Sequence, residues 1–117
     1  MESMLQIARW FSNGNFDLAA PHLSETVAFH IYEDDRHLTG KVQVLEFCSG
    51  IADYFASVET NFQESGYLVS GDKVAIYGFG EFRREGELIS MVNSCDVYEF
   101  NAQGMVDQIH SHCNSNK

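Results

Sequence analysis

Two side chains, Asp96 and His30, combine acid–base chemistry with positions on predicted strands. Asp96 lies in an alternating run, where a period of two places it on one strand face with Val92, Ser94 and Tyr98. If that face turns inward, the carboxyl is either partnered or has a raised pKa, and both states suit catalysis. The alternative is a carboxylate that accepts hydrogen bonds at a sheet edge.

His30 lies between apolar neighbours in the first predicted strand, ahead of the charged loop that we predict at residues 33–37. Imidazole has an ordinary pKa of about 6.5, so it can move protons near neutral pH. If His30 shares a pocket with Asp96, the two form a general base and its partner. A core or rim histidine with one satisfied hydrogen bond is the alternative interpretation.

Aromatic, aliphatic and hydroxyl side chains could line such a pocket. Aromatic stripes on helices are more often plain core than part of a ligand site, but a buried Trp or Tyr needs a polar partner. This need favours Trp10 and Tyr54 as ligand contacts. The predicted ligand-binding residues are Trp10, Phe29, Phe47, Ile51, Tyr54, Phe55, Ser94, Tyr98, Ile109 and Ser111.

Other chemistries have little support in the sequence. His110 and His112 lie two residues apart, but no third ligand is visible, so we expect no metal. Cys48, Cys95 and Cys113 share no CxxC spacing, which argues against a disulfide framework or a zinc site. Neither a phosphate-binding glycine loop nor a nucleophile elbow is present, and we expect no cofactor.

Size and composition predict a single domain over residues 1–117. Seven basic against seventeen acidic residues give a formal charge of −10, which disfavours binding to a nucleic-acid backbone. The start Met1-Glu2-Ser3 has no basic region and no long apolar run follows it. We therefore expect no membrane contact and a cytoplasmic location.

Hydrophobic spacing predicts the elements that must position these residues. Residues 4–11 form an amphipathic helix, and a long apolar-periodic helix over residues 41–58 should be heavily buried. Strands are predicted over residues 24–32, 59–69, 73–84, 87–100 and 106–113. Two glycines within a strand, Gly78 and Gly80, indicate bending or close approach of another backbone. The order predicts an α+β fold, with helices packed on the concave face of a curved, mostly antiparallel sheet, which makes a cone with an internal pocket.

Five motifs follow one another along nearly the whole chain. They are Asn-Gly-Asn-Phe-Asp at residues 13–17, the strand at 27–32, Leu-Thr-Gly-Lys at 38–41, Asp-Val-Tyr-Glu-Phe-Asn at 96–101 and the final strand at 106–111. This order of motifs resembles the nuclear transport factor 2-like superfamily, and within it the SnoaL-like and ketosteroid isomerase-like proteins.

The resemblance implies a cystatin-like cone and roles for two residues. His30 falls where the isomerases keep a proton-shuttling aspartate, and Asp96 matches the acid that they hold protonated to donate to a developing oxyanion. The isomerases' oxyanion-hole tyrosine falls near Ile7, which has no hydrogen-bond donor.

Two functions are compatible with this resemblance. One is a cofactor-independent isomerase, cyclase or dehydratase that acts on a small apolar or cyclic molecule through His30 and Asp96. The other is a non-catalytic ligand-binding or dimerisation module, because the scaffold hosts both uses. Members of the superfamily often pair through the outer sheet face, which implies a homodimer.

Overall fold

The computed structural model describes residues 3–116, in which helices precede most of the sheet along the chain. The helices are α1 (Met4–Ser12), α2 (Phe16–Ala19) and α3 (Lys41–Ser57), with 3₁₀ turns at Ala20–His22 and Tyr32–Asp34. The strands are β1 (Leu23–Ile31), β2 (Arg36–Thr39), β3 (Glu59–Ser70), β4 (Lys73–Arg84), β5 (Glu87–Phe100) and β6 (Val106–Asn116). The predicted domain also includes Met1, Glu2 and Lys117, which lie outside the described residues.

Helix α1 begins and ends at local sequence signals. The Ser3 hydroxyl accepts a hydrogen bond from the backbone N–H of Gln6 at 3.1 Å, which caps the first turn. Beyond the last turn, Gly14 has a φ of +83°, a conformation that favours glycine. Ile7 and Phe11 lie on the buried face, so α1 presents an apolar stripe to the sheet.

The six strands form one curved, mixed sheet in the order β2-β1-β6-β5-β4-β3. Strands β1 and β6 are parallel, and the other neighbouring pairs are antiparallel. The α+β prediction is therefore confirmed, but the charged loop predicted at residues 33–37 is shorter, because Arg36 and His37 begin strand β2. Strand β2 is a short, largely exposed edge, so it lacks the apolar alternation by which a strand is recognised.

Strands β3 and β4 leave no room for a side chain at Gly78. A Cβ atom at this position would overlap the carbonyl oxygen of Gln63. The pairing register shifts between Glu64 and Gly66, which marks a β-bulge, and bulges bend a strand and increase its twist. The predicted close approach of another backbone is confirmed at Gly78.

The core lies between one sheet face and the helices. Tyr98 and Ile109 from the sheet meet Val44 and Cys48 from α3 in one buried cluster. Helix α3 is less buried than its apolar pattern predicts, because only these two of its residues are fully enclosed and Tyr54 is 44% exposed. Leu45 and Phe47 are only partly buried against the core.

Candidate functional site

A cavity of about 180 Å³ lies between α1, α3 and the concave sheet face. Most of its wall is aromatic or aliphatic, formed by Phe11, Phe16, Phe29, Ile51, Phe55, Phe62, Phe82 and Val92 together with Gly80. Its polar side chains are Ser12, Ser94, Asp96, Ser111 and Cys113. The chamber is therefore mainly apolar, with its hydroxyl, thiol and carboxyl groups on α1, β5 and β6.

Strand pairing explains how the polar groups converge. Asp96 on β5 lies opposite Ser111 on β6, and Ser94 lies opposite Cys113. Residues directly opposite each other on neighbouring strands point to the same sheet face. The face that the sequence predicts for Ser94 and Asp96 is thus the concave one, and the last turn of α1 adds Ser12 from above.

The Asp96 carboxyl is enclosed by protein and held by a hydroxyl. Ser12 Oγ donates to Asp96 Oδ2 at 2.9 Å. Burial raises the pKa of Asp96, and the hydrogen bonds of Ser111 and Ser12 oppose that rise without cancelling it. The neutral acid is therefore favoured more than in an ordinary aspartate.

Tyr98 lies behind Asp96 on the same strand face and has no exposed surface. Its hydroxyl lies 2.5 Å from Ser12 Oγ. Burial raises its pKa well above the ordinary value, and the charge of Asp96 adds to that effect. Tyr98 is thus held as a neutral phenol that supports the site from the core.

Cys113 is an unsuitable nucleophile despite its place in the cavity wall. Burial raises the pKa of its thiol to about 11, even though the Ser111 hydroxyl acts in the opposite direction. The reactive form of cysteine is the thiolate, which such a pKa disfavours at neutral pH. Asp96 is therefore the candidate residue for acid–base chemistry in the cavity.

His30 lies on the opposite sheet face from Asp96, so the expected shared pocket is not formed. In the register that joins β1, β6 and β5, His30 aligns with His110 and Val97, whereas Asp96 aligns with Ser111. Alternation along β1 turns Phe29, and not His30, into the cavity. His30 cannot serve as the general base of this cavity from that position.

His30 instead belongs to a cluster of rings on the outer face. Its Nδ1 lies 2.8 Å from Nδ1 of His37, and its Nε2 lies 2.8 Å from the Gln108 side-chain oxygen. Its ring also stacks on His110 with centroids 5.0 Å apart. No group of three or more His, Cys, Asp or Glu side chains within residues 3–116 is arranged to hold a metal.

The predicted ligand-binding residues divide into two groups. Those that line the cavity are Phe29, Ile51, Phe55, Ser94 and Ser111. Tyr98 and Ile109 lie on the same face but are fully enclosed in the core. Trp10 packs against His22, while Phe47 and Tyr54 border a shallow groove on the open side of α3. These five residues, on strands and helices, do not line the cavity. Depth in the core and position around the helix axis, and not residue type, decide which side chains reach it.

Several lining residues were not predicted, namely Phe11, Ser12, Phe16, Phe62, Gly80, Phe82, Val92 and Cys113. A signal for Ser12 exists in the sequence, because it lies four residues after Ala8 on the buried face of α1. Phe62 and Phe82 come from strands whose facing depends on the bulged β3–β4 pairing. Their position could not be read from alternation alone.

None of the helices within residues 3–116 has the length and apolar character needed to cross a membrane.

Comparison with known proteins yields structural neighbours only. No protein-family model matches the chain, and no curated protein matches its sequence. A nuclear transport factor 2-like protein of unknown function from Cytophaga hutchinsonii superposes with a TM-score of 0.83 at 22% identity, over 94% of this chain and 95% of that one.

Two further neighbours carry functional descriptions. A candidate SnoaL-like polyketide cyclase from Shewanella denitrificans matches with a TM-score of 0.74 at 13% identity, over 95% of this chain and 90% of that one. A candidate ketosteroid isomerase from Kribbella flavida matches with a TM-score of 0.72 at 15% identity, over 97% and 79%. At such identities the likeness establishes the fold alone, and the predicted resemblance to nuclear transport factor 2-like proteins is confirmed at that level.

Proposed function

We propose that the cavity binds a small apolar or cyclic molecule and that Asp96 contacts a polar oxygen of that molecule. One observation carries the proposal: a single carboxyl group, with a raised pKa, faces a chamber whose wall is otherwise aromatic, aliphatic or weakly polar. Ligand sites typically combine an apolar lining with a few placed polar groups that fix orientation. The hydroxyls of Ser94 and Ser111 would complete the polar side of this site.

Acid–base catalysis at Asp96 is the second candidate, and the raised pKa of Asp96 favours it. A neutral carboxyl can donate a proton to a developing oxyanion and later accept one, as isomerase, cyclase and dehydratase reactions require. Neighbours described as a cyclase and an isomerase support this reaction class. The residues that line the cavity include no second carboxyl and no imidazole, so Asp96 would serve as both acid and base.

A pair of matched probes tests the binding proposal. Calorimetry would compare 1-indanone with indane, which has the same rings without the carbonyl oxygen. We expect the wild-type protein to prefer 1-indanone, and Asp96→Leu to lose that preference while it still binds indane. His30→Asn, on the outer face, is the control and should behave as wild type.

Equal affinity of the two probes for the wild-type protein would contradict the role of Asp96. For catalysis, once a substrate is known, Asp96→Asn should abolish turnover and keep the fold. An unchanged rate in that variant would contradict the catalytic role of Asp96.

The proposal extends to a homodimer that forms through the outer sheet face. Its support is a set of apolar side chains on that face, including Leu68 at 67% exposure and Tyr77 at 44%. Ala75 and Val97 lie beside Leu68 across the strands, so the apolar surface is continuous. Sedimentation at micromolar concentration should give twice the chain mass of 13.2 kDa, whereas a particle of 13.2 kDa would contradict the dimer.

A cytoplasmic location is the last part of the proposal. Its support is that Cys48, Cys95 and Cys113 are free thiols, which reducing compartments maintain. Fractionation of cells that produce the full-length protein tests it directly.

A further inference from the structure

A hydrogen-bonded chain connects the core to the candidate site. The Tyr98 hydroxyl lies 2.5 Å from Ser12 Oγ, and Ser12 Oγ lies 2.9 Å from Asp96 Oδ2. Tyr98 and Asp96 stand on β5, whereas Ser12 comes from the last turn of α1. The three groups thus meet only when the helix is docked on the sheet.

The direction of this chain follows from the number of hydrogens available. Within residues 3–116 every fully buried side-chain nitrogen or oxygen has a hydrogen-bond partner, and Ser12 Oγ is the partner of the Tyr98 hydroxyl. A buried phenol that fails to donate its hydrogen loses a full hydrogen bond, so Tyr98 donates to Ser12. Ser12 has one hydroxyl hydrogen, which it donates to Asp96 Oδ2.

This direction makes the two carboxyl oxygens of Asp96 inequivalent. Oδ2 accepts from Ser12 on α1, while the Ser111 hydroxyl on β6 also acts on the carboxyl. Asp96 retains part of its surface where it lines the cavity, so the acid can meet a ligand there. A neutral acid in this arrangement has one O–H donor that it can direct to an acceptor in the cavity.

We infer that Ser12, supported by Tyr98, is a positioning residue that holds Oδ2 as an acceptor and so fixes the orientation in which the neutral Asp96 carboxyl meets a ligand. The inference deepens the proposed function and rests on it, because a ligand must reach Asp96. It names the ligand class as molecules that offer an oxygen acceptor, such as a ketone or an enolate.

A purely structural role for Ser12 makes different predictions. Ser12 could tie α1 to the sheet and have no effect on Asp96 beyond stability. Three variants separate the two roles: Ser12→Ala removes the donor to Asp96, Ser12→Thr keeps a hydroxyl, and Tyr98→Phe removes only the supporting phenol. Stability alone does not distinguish them, so the readouts must report on the carboxyl.

Two measurements provide those readouts. The pKa of Asp96 would be followed by NMR of its carboxyl carbon in each variant. Affinities for 1-indanone and indane would then be compared at a pH where Asp96 is protonated in all of them. We expect Ser12→Ala to raise the pKa of Asp96, because the carboxylate loses a donor, and to reduce the preference for 1-indanone by roughly threefold to tenfold.

The other two variants complete the test. Ser12→Thr should keep both wild-type values, and Tyr98→Phe should move both in the direction of Ser12→Ala by less. An unchanged pKa and an unchanged probe preference in Ser12→Ala would overturn the inference. If that variant does not fold, unchanged values in Tyr98→Phe overturn it.

Failure of the proposed function has a separate signature. Wild-type protein that binds neither probe would remove the ligand site and the ligand class inferred from it. The titration would then decide the positioning role alone, because a raised pKa of Asp96 in Ser12→Ala requires no ligand.

Discussion

At Asp96 two physical effects oppose each other, and the outcome decides what the residue can do. Removing a carboxylate from water favours its neutral form, whereas hydrogen bonds from Ser12 and Ser111 favour the charged form. Burial is the larger effect, so the pKa of Asp96 is raised. The same imbalance that makes Asp96 a candidate acid also makes its ionisation costly for the fold.

This cost predicts how Asp96→Asn changes stability with pH. Because the pKa is higher in the folded state than in the unfolded state, the stabilisation by Asp96 is complete below the ordinary aspartate pKa. It is lost as the pH rises through the raised pKa. Asp96→Asn should therefore increase the free energy of unfolding at about pH 8, by on the order of 1 kcal/mol, and lose that advantage in acid.

Urea denaturation at several pH values measures this difference. Asp53→Asn, which alters an exposed carboxyl on α3, is the control for the loss of one negative charge. A destabilised Asp96→Asn protein at alkaline pH would mean that the Ser12 and Ser111 hydrogen bonds outweigh burial.

At the scale of elements, the sequence predicts which residues of one strand share a face. It does not predict which faces of two distant strands point to the same side of the sheet. Alternation correctly grouped Ser94, Asp96 and Tyr98 on one face of β5. His30 was also on a defined face of β1, but the registers of β1 with β6 and of β6 with β5 place it beside Val97. A one-residue difference in register reverses the facing, and register between distant strands is a tertiary property.

The β3–β4 pair gives an element-scale prediction. Gly78→Ala should destabilise the protein by about 2 to 4 kcal/mol, because the new Cβ would overlap the Gln63 carbonyl and force the two strands apart. Gly80→Ala is the matched control, since its nearest neighbour would be the Phe82 ring at 3.6 Å. Thermal unfolding of both variants makes the comparison, and equal losses would show that strand propensity, not overlap, determines the cost.

At the scale of the whole molecule, the fold was more predictable than the site. Helices and strands with clear periods gave an α+β cone, and strands β4 and β5 have the predicted bounds. The cavity wall instead depends on how far each side chain projects once α1 and α3 are docked. Trp10 and Tyr54 do not reach the cavity and Ser12 does, although all three lie on α1 or α3.

A chamber enclosed by both helices and sheet should couple ligand binding to global stability. A molecule that binds only the folded chain stabilises it by about 2.7 kcal/mol when its concentration is one hundred times its Kd. We expect 1-indanone to raise the unfolding temperature accordingly, whichever element unfolds first, because its contacts span α1, α3 and the sheet. Val92→Phe, which places a ring in the chamber, should remove most of that shift in a thermal-unfolding titration. A full shift in Val92→Phe would place the bound molecule outside the cavity, on a surface that this substitution leaves unchanged.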